Sequence, residues 1–546
     1  VKRNKIALTG VALLAAGTLA LAGCAGGGSG STDKGDTGSN AKADPDAIIT
    51  TNGSEPENPL IPTNTNEVGG GKILDEIFAG LVYYDADGKP VNDMAEEIVT
   101  EDPQHLTIKL KKGQKFTDGE EVTADNFIKA WNEGAKASNA HLSSYFFEDI
   151  EGYNAETDSP LTGLKQVDDY TFTVALNKPA SDFALRLGYS AYYPLPDVAF
   201  EDMAAFGENP IGNGPYMIGG DGWQHDVQID LVRNDDYQGG RKAQNGGLTI
   251  KFYATQEASY ADLQGNQVDV IDQIPAVSLP TFQDDLGDRA VNQPSAVFQS
   301  FTIGQFLPHF SGEEGILRRE AISMAFDRAQ ITETIFSGTR TPAADFTSPV
   351  IAGWSDDIPG NEVLQYDPEK AKELWAEADK ISPWDGTFQI AYNSDGGHQE
   401  WVDAVTNQIS KNLGIEASGA PYPTFAQIRE EVNNRSIKTA ARSGWQADYP
   451  GLYNFLGPLY ATGAGSNDGD YSNPEFDAAI KAGIGNTDAD AQVKDFQKAQ
   501  EILFKDLPAI PLWYSNVTGG YSENVDNVTF GWNSVPLYYQ ITKAAE

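Results

Sequence analysis

The chain is short of cysteine, of cations and of histidine, and each shortage excludes a class of function. Its 546 residues contain one cysteine, Cys24, so no disulfide can form within it. Lys and Arg number 38 against 79 Asp and Glu, a formal charge of −41. Phosphate backbones are bound by clustered cations, so nucleic acid is not an expected partner. The five histidines (His105, His141, His225, His309 and His398) stand far apart, with no pair at metal-ligand spacing. No metal and no other cofactor is expected. No Gly-x-Ser-x-Gly elbow occurs, which argues against a serine hydrolase of that type. The acidic doublets Asp235-Asp236 and Glu430-Glu431 do not make a glycosidase pair, because neighbouring side chains point apart on a strand and diverge on a helix. Asp85-x-Asp87 resembles the start of a calcium loop, but its sixth position is Pro90 where glycine is required. The chain is not expected to be an enzyme.

What is present describes an ordered globular protein. The hydrophobic fraction is 40%, and the length exceeds one compact core, so two or three folding units are expected. Lys2, Arg3 and Lys5 precede an uncharged apolar run over residues 6–22, which ends in Leu21-Ala22-Gly23-Cys24. That is a signal-peptide pattern, too short for a convincing membrane span. Its end resembles a bacterial lipobox, in which Cys24 is lipidated and anchors the protein to the membrane; multiple acyl chains give a stable anchor. Residues 25–42 are rich in Gly, Ser, Thr and Asp and read as a flexible tether. The expected location is the outer face of the cytoplasmic membrane.

The chemically suggestive stretch is Trp445-Gln446-Ala447-Asp448-Tyr449-Pro450. One carboxylate lies between two aromatics, and Pro450 biases Tyr449 toward extended backbone. A carboxylate between aromatic walls suits a cationic group, with about 4 kcal/mol of attraction at about 4 Å before desolvation. Equally, Asp448 could be a surface loop residue beside core aromatics.

Periodicity places strands at residues 47–51, 105–110, 171–176, 227–233, 248–253, 296–303, 388–392, 438–443 and 512–515. Helices are expected at 69–81, 127–137 with Thr123 as N-cap, 315–329, 369–378, 401–413, 425–432 and 489–504. Val528, Phe530 and Trp532 suggest a last strand. Gly212-Asn213-Gly214 is a turn, without the lysine and helix context of a phosphate loop.

Taken in order, several segments resemble the bacterial extracytoplasmic solute-binding proteins of the peptide/nickel class, which serve ABC importers. They are Asn52-Gly53-Ser54-Glu55-Pro56, the block 78–88, Phe116-Thr117-Asp118-Gly119, Gly212-Asn213-Gly214-Pro215-Tyr216, Leu231-Val232-Arg233-Asn234, residues 319–328, Tyr366-Asp367-Pro368-Glu369, the Trp445 stretch and Tyr471-Ser472-Asn473-Pro474. The resemblance implies an α/β fold of two lobes with a hinge and an extra subdomain on lobe one. Lobe one would take residues 46–68, 191–297 and 517–546, the subdomain 69–190, and lobe two 298–516, behind a signal peptide at 1–24 and a tether at 25–45. Hinge crossings would fall near residues 295–299 and 514–517.

The resemblance further implies a peptide ligand, a permease and ATPase as partners, and a monomer. Asp448 would meet the ligand's α-ammonium. Peptide main chain would add as a strand near Ser54-Glu55 and near Gly444, Trp445, Gln446 and Ala447, a mode that gives affinity without reading sequence. Trp445 would line a side-chain pocket, Arg442 would meet a carboxylate or else form a structural ion pair, and Tyr145 would face the ligand. The alternative on the same scaffold is another solute such as an oligosaccharide. A secreted hydrolase or adhesin is the remaining alternative. If Cys24 carries the anchor, Cys24→Ser releases the protein into the medium on cell fractionation, and retention of that variant in the membrane fraction refutes the lipobox.

Overall fold

The computed structural model describes residues 43–394, 397–423 and 425–545, without the side chains of residues 425 and 426. Cys24, the signal peptide and most of the tether lie outside the described residues. The fold is mixed α/β and two-lobed. One sheet of eleven strands runs through both lobes. On one side lie Ala417–Tyr422, Phe388–Asn393 and Ala440–Gln446; on the other lie Val270–Ile271, Ile48–Gly53, Gly247–Phe252, Gln228–Arg233 and Tyr216–Gln224. Between the two sides run the long antiparallel strands Ala290–Thr302 and Ala509–Tyr521. A separate four-stranded antiparallel sheet holds Ala95–Asp102, His105–Leu110, Thr171–Ala175 and Leu164–Asp168.

Two large cores follow from this layout. One joins Ile49, Ile73, Phe78, Trp131, Phe172, Tyr216 and Val517. The other joins Phe298, Phe301, Phe346, Trp375, Phe455, Leu503 and Trp513. The central strand pair feeds both, but not in one register. Pro294 faces Asn516 and Phe298 faces Tyr514, so residues 295–297 bulge against a single partner residue. Such irregularities bend a strand and leave backbone groups to be satisfied elsewhere. Here Ser295 Oγ donates to Ser515 O at 2.8 Å, and Ser348 Oγ donates to Ser295 O at 2.8 Å. Pro511, which supplies no N–H, sits at the pair's second register shift.

Several elements differ from the periodicity reading, each for an identifiable reason. The helix expected to reach residue 81 is Val68–Ile77. It stops because the Asn213 side chain captures the Ala79 backbone, accepting from its N–H at 2.9 Å and donating to its C=O at 3.0 Å. The long helix at 315–329 is two helices, Gly312–Met324 and Arg328–Thr334. Asp327 starts the second by accepting from Gln330 N–H at 3.0 Å, an ordinary N-cap. The strand Ala509–Tyr521 begins before Pro511 rather than after it. Ala95–Asp102 is an edge strand whose acidic, mostly exposed face hid its period. Residues 528–532 form no strand, only a bridge from Phe530 to Pro536. The expected start of the helix after Thr123 holds: Ala124–Ala135 opens on a reciprocal cap between Thr123 and Asn126.

Asp345 is fully buried beside the strand crossing and accepts from Thr347 N–H at 2.7 Å and Gln500 Nε2 at 3.2 Å. Burial pushes its carboxyl up to about 6 against those donors. A raised carboxyl binds its proton in the folded state before the unfolded one, so its ionisation works against the fold as pH rises through this range. Between pH 4 and pH 7 the native chain should therefore lose roughly 2–3 kcal/mol of unfolding free energy relative to Asp345→Asn. Denaturant titrations at both pH values measure it, and a pH-independent difference refutes it.

Candidate functional site

The strand Ala440–Gln446 owes its availability to an incomplete ladder. On one side it pairs with the long central strand from Thr302↔Ala441 through Val297↔Gln446. On the other, its pairing with Phe388–Asn393 covers Ala440 and Ala441 alone. From Arg442 to Gln446 that second edge carries no strand among the described residues. Ala447 N–H donates to Ala296 O at 3.0 Å. By strand alternation, Gly444 and Gln446 turn their peptide groups to the open edge. Gly444 is exposed, and with no side chain it leaves the edge clear.

Asp448 follows this edge directly. Its position is set by Asn454, a residue the sequence reading missed. Asn454 is buried on the helix Leu452–Tyr460, and both ends of its amide are engaged. Its Oδ1 accepts from Trp445 Nε1 at 2.9 Å and from Asp448 N–H at 3.0 Å, and its Nδ2 donates to Asp448 Oδ2 at 3.1 Å. One amide thus aims both the indole and the carboxylate. No lysine, arginine or histidine among the described residues forms an ion pair with Asp448. Burial lifts its carboxyl above the usual range, partly offset by the Asn454 bond.

Gln446, Ala447 and Asp448 form one wall of a cleft of about 330 Å³. The rest of its lining includes Glu67, the cap of the first helix, Lys72 and Asp75 on that helix, Tyr84 and Tyr189, and Trp532. Lys72 is spent: its Nζ lies 2.6 Å from Asp272 and 3.2 Å from Asn52 O. Glu67 caps its own helix, accepting from Gly70 N–H at 2.8 Å. The cleft is therefore acidic, with aromatic sides. Its reach extends into an adjoining hollow of about 280 Å³ that shares Val68 and Lys72 and is lined by Ser54.

The other expected residues divide. Tyr145 is half-exposed and lies within the field of Asp448, which together with burial raises its phenol. Tyr189 responds in the same way and for the same causes. Glu55 turns its carboxylate away from the cleft, to His225 Nδ1 at 2.8 Å and Asp226 N–H at 2.9 Å. Arg442 lies on the same strand but lines a different hollow, with Thr302 and Asp468, and its Nε donates to Asn393 at 2.9 Å. Asn454 left a faint signal, a polar residue inside the apolar run Leu452-Tyr453-Asn454-Phe455-Leu456. Trp532 left none, since the strand expected there does not form.

Comparison with known proteins bears on the family and the fold. The profile of the bacterial extracellular solute-binding proteins, family 5, matches residues 89–467. The oligopeptide-binding protein OppA of Bacillus subtilis (strain 168) is 26% identical over 540 residues, covering 95% of this chain and 96% of that protein. The unliganded open form of the murein tripeptide-binding protein MppA superposes with a TM-score of 0.81 at 20% identity, over 93% of this chain and 99% of that one. Haemophilus influenzae OppA in complex with the peptide RPPGFSPFR superposes with a TM-score of 0.69 at 22% identity, over 92% of this chain and 100% of that one.

Removal of the amide in Asn454→Ala strands the Trp445 indole N–H and the Asp448 N–H in a partly dry site. The expected loss is about 2 kcal/mol of unfolding free energy together with a shift in tryptophan emission. Native stability and an unchanged spectrum in this variant would show that Asn454 does not hold the site.

Proposed function

This chain belongs to family 5 of the bacterial extracellular solute-binding proteins, and on that premise we propose that it is a peptide receptor for an ABC importer. The observation that carries the reading is the open strand edge from Arg442 to Gln446 running into Asp448. An extended ligand backbone can hydrogen-bond to that edge whatever its side chains, and the carboxylate supplies a fixed partner for its terminal ammonium. The relatives' names support the ligand class: OppA of Bacillus subtilis is an oligopeptide-binding protein, and OppA of Haemophilus influenzae holds a nonapeptide.

The proposal extends to the moving parts. Residues 46–68, 191–297 and 517–546 make lobe one, 69–190 its subdomain, and 298–516 lobe two. The lobes close about the two central strands near residues 295–299 and 514–517, where the register breaks. Hinge closure over a ligand is an established repertoire for two-lobed binders. Gly444, Trp445, Gln446 and Ala447 flank the peptide from lobe two, and Ser54 lies along its path on lobe one. Tyr145 faces it across the cleft. Glu55 contributes through its main chain, its carboxylate being engaged elsewhere. The protein works as a monomer anchored through Cys24 outside the cytoplasmic membrane, within reach of a permease and its ATPase.

Asp448→Ala should weaken peptide binding by more than about 2 kcal/mol, because the ligand ammonium is then buried without its partner. Calorimetric titration with a free-amine peptide and its N-acetyl counterpart measures this. Acetylation should cost the native protein a similar amount and cost the variant little. Equal affinity of native protein and variant removes Asp448 from the ammonium site. Binding of oligosaccharides in place of peptides overturns the reading itself.

A further inference from the structure

A chamber of about 70 Å³ opens off the main cleft. The two spaces share Asp75, Tyr84 and Trp532 as common wall. The chamber is also lined by Glu76, which is 5% exposed and whose Oε2 has no hydrogen-bond partner among the described residues. Buried carboxyls are rarely left so, because the lost hydration is not replaced. Burial accordingly pushes Glu76 up to about 8, with the nearby Arg241 opposing.

Arg241 does not fill the gap. It donates to the carbonyl of Asp75, and to that of Phe78 at 2.8 Å, and its Nε lies 3.6 Å from Asp93. Asp75 engages one oxygen, accepting from Tyr193 Oη at 2.8 Å. Three carboxyl groups (Asp75, Glu76 and Asp93) thus surround one guanidinium. With Glu76 ionised, the site lacks positive charge.

We propose that this chamber is a subsite for a primary ammonium on a ligand side chain, which enters beside the Tyr84–Trp532 pair and sits between Asp75 and Glu76. The proposal rests on the peptide reading of the cleft and adds a preference for lysine at one ligand position. The two rings pack edge to face with centroids 5.5 Å apart, and aromatic rims of this kind favour a passing cation. The volume holds about two waters, which suits a compact ammonium better than a planar guanidinium.

The test is calorimetry on the full chain with tetra-alanine peptides in which each position in turn carries lysine, norleucine or Nε-acetyl-lysine. At one position lysine should bind about tenfold tighter than norleucine, the scale of one charge-assisted hydrogen bond. Acetylation should abolish the gain, and Glu76→Gln should bring the lysine-to-norleucine ratio close to one. Equal binding of lysine and norleucine at every position overturns the subsite and leaves the peptide reading standing. A lysine preference undiminished in Glu76→Gln overturns the assignment to this chamber. If no peptide binds, both readings fall. Should Glu76→Gln not fold, Asp75→Asn takes its place in the same comparison, and an undiminished lysine preference in that variant overturns the assignment.

Discussion

The backbone of Ala296 ties two segments of the chain that line the cleft. Its N–H donates to Trp532 O at 3.1 Å, and its C=O accepts from Ala447 N–H at 3.0 Å. Trp532 and Ala447 both line the cleft. Ala296 can reach both because it lies in the three-residue bulge of the central strand pair, where the regular ladder lapses. A continuous ladder would have used both groups within the sheet. The backbone of this one residue thus holds two segments that line the cleft, and buried backbone groups still find partners, as they must.

Around that tie the electrostatics are one-sided. The cleft's single lysine is neutralised by Asp272, while Glu67, Asp75 and Asp448 remain around it. Among the described residues Asp448 pairs with no cation, and a neutral amide orients it instead. An amide can position a carboxylate without neutralising it, whereas an arginine in the same place would compete with an incoming ligand. The overall charge of −41 works in the same direction at longer range.

Much of this was legible in the sequence, and the gaps have physical causes. Strands with two-residue alternation, such as His105–Leu110, fall where periodicity puts them. So does the helix after Thr123, because its cap is local. One miss was decided by a distant residue: Asn213, 134 positions from Ala79, ends the first helix. The Trp445–Pro450 stretch announced a carboxylate between aromatics, but not that Asn454 aims it. Glu55 and Arg442 were placed on the right strands or loops, yet their side chains serve His225 and Asn393. Backbone location follows from pattern; the direction of a long polar side chain follows from whichever partner folding brings near.

The bare strand edge beside Gly444 has a cost that binding alone does not explain. Unpaired edges invite pairing with other copies of the same chain, the first step of sheet aggregation. Here the edge runs into a cleft whose far wall is built from a different part of the chain. A second sheet, with its neighbouring strands, reaches a recessed edge less readily than an exposed one. Recessing the edge therefore guards it against pairing with another copy of the chain.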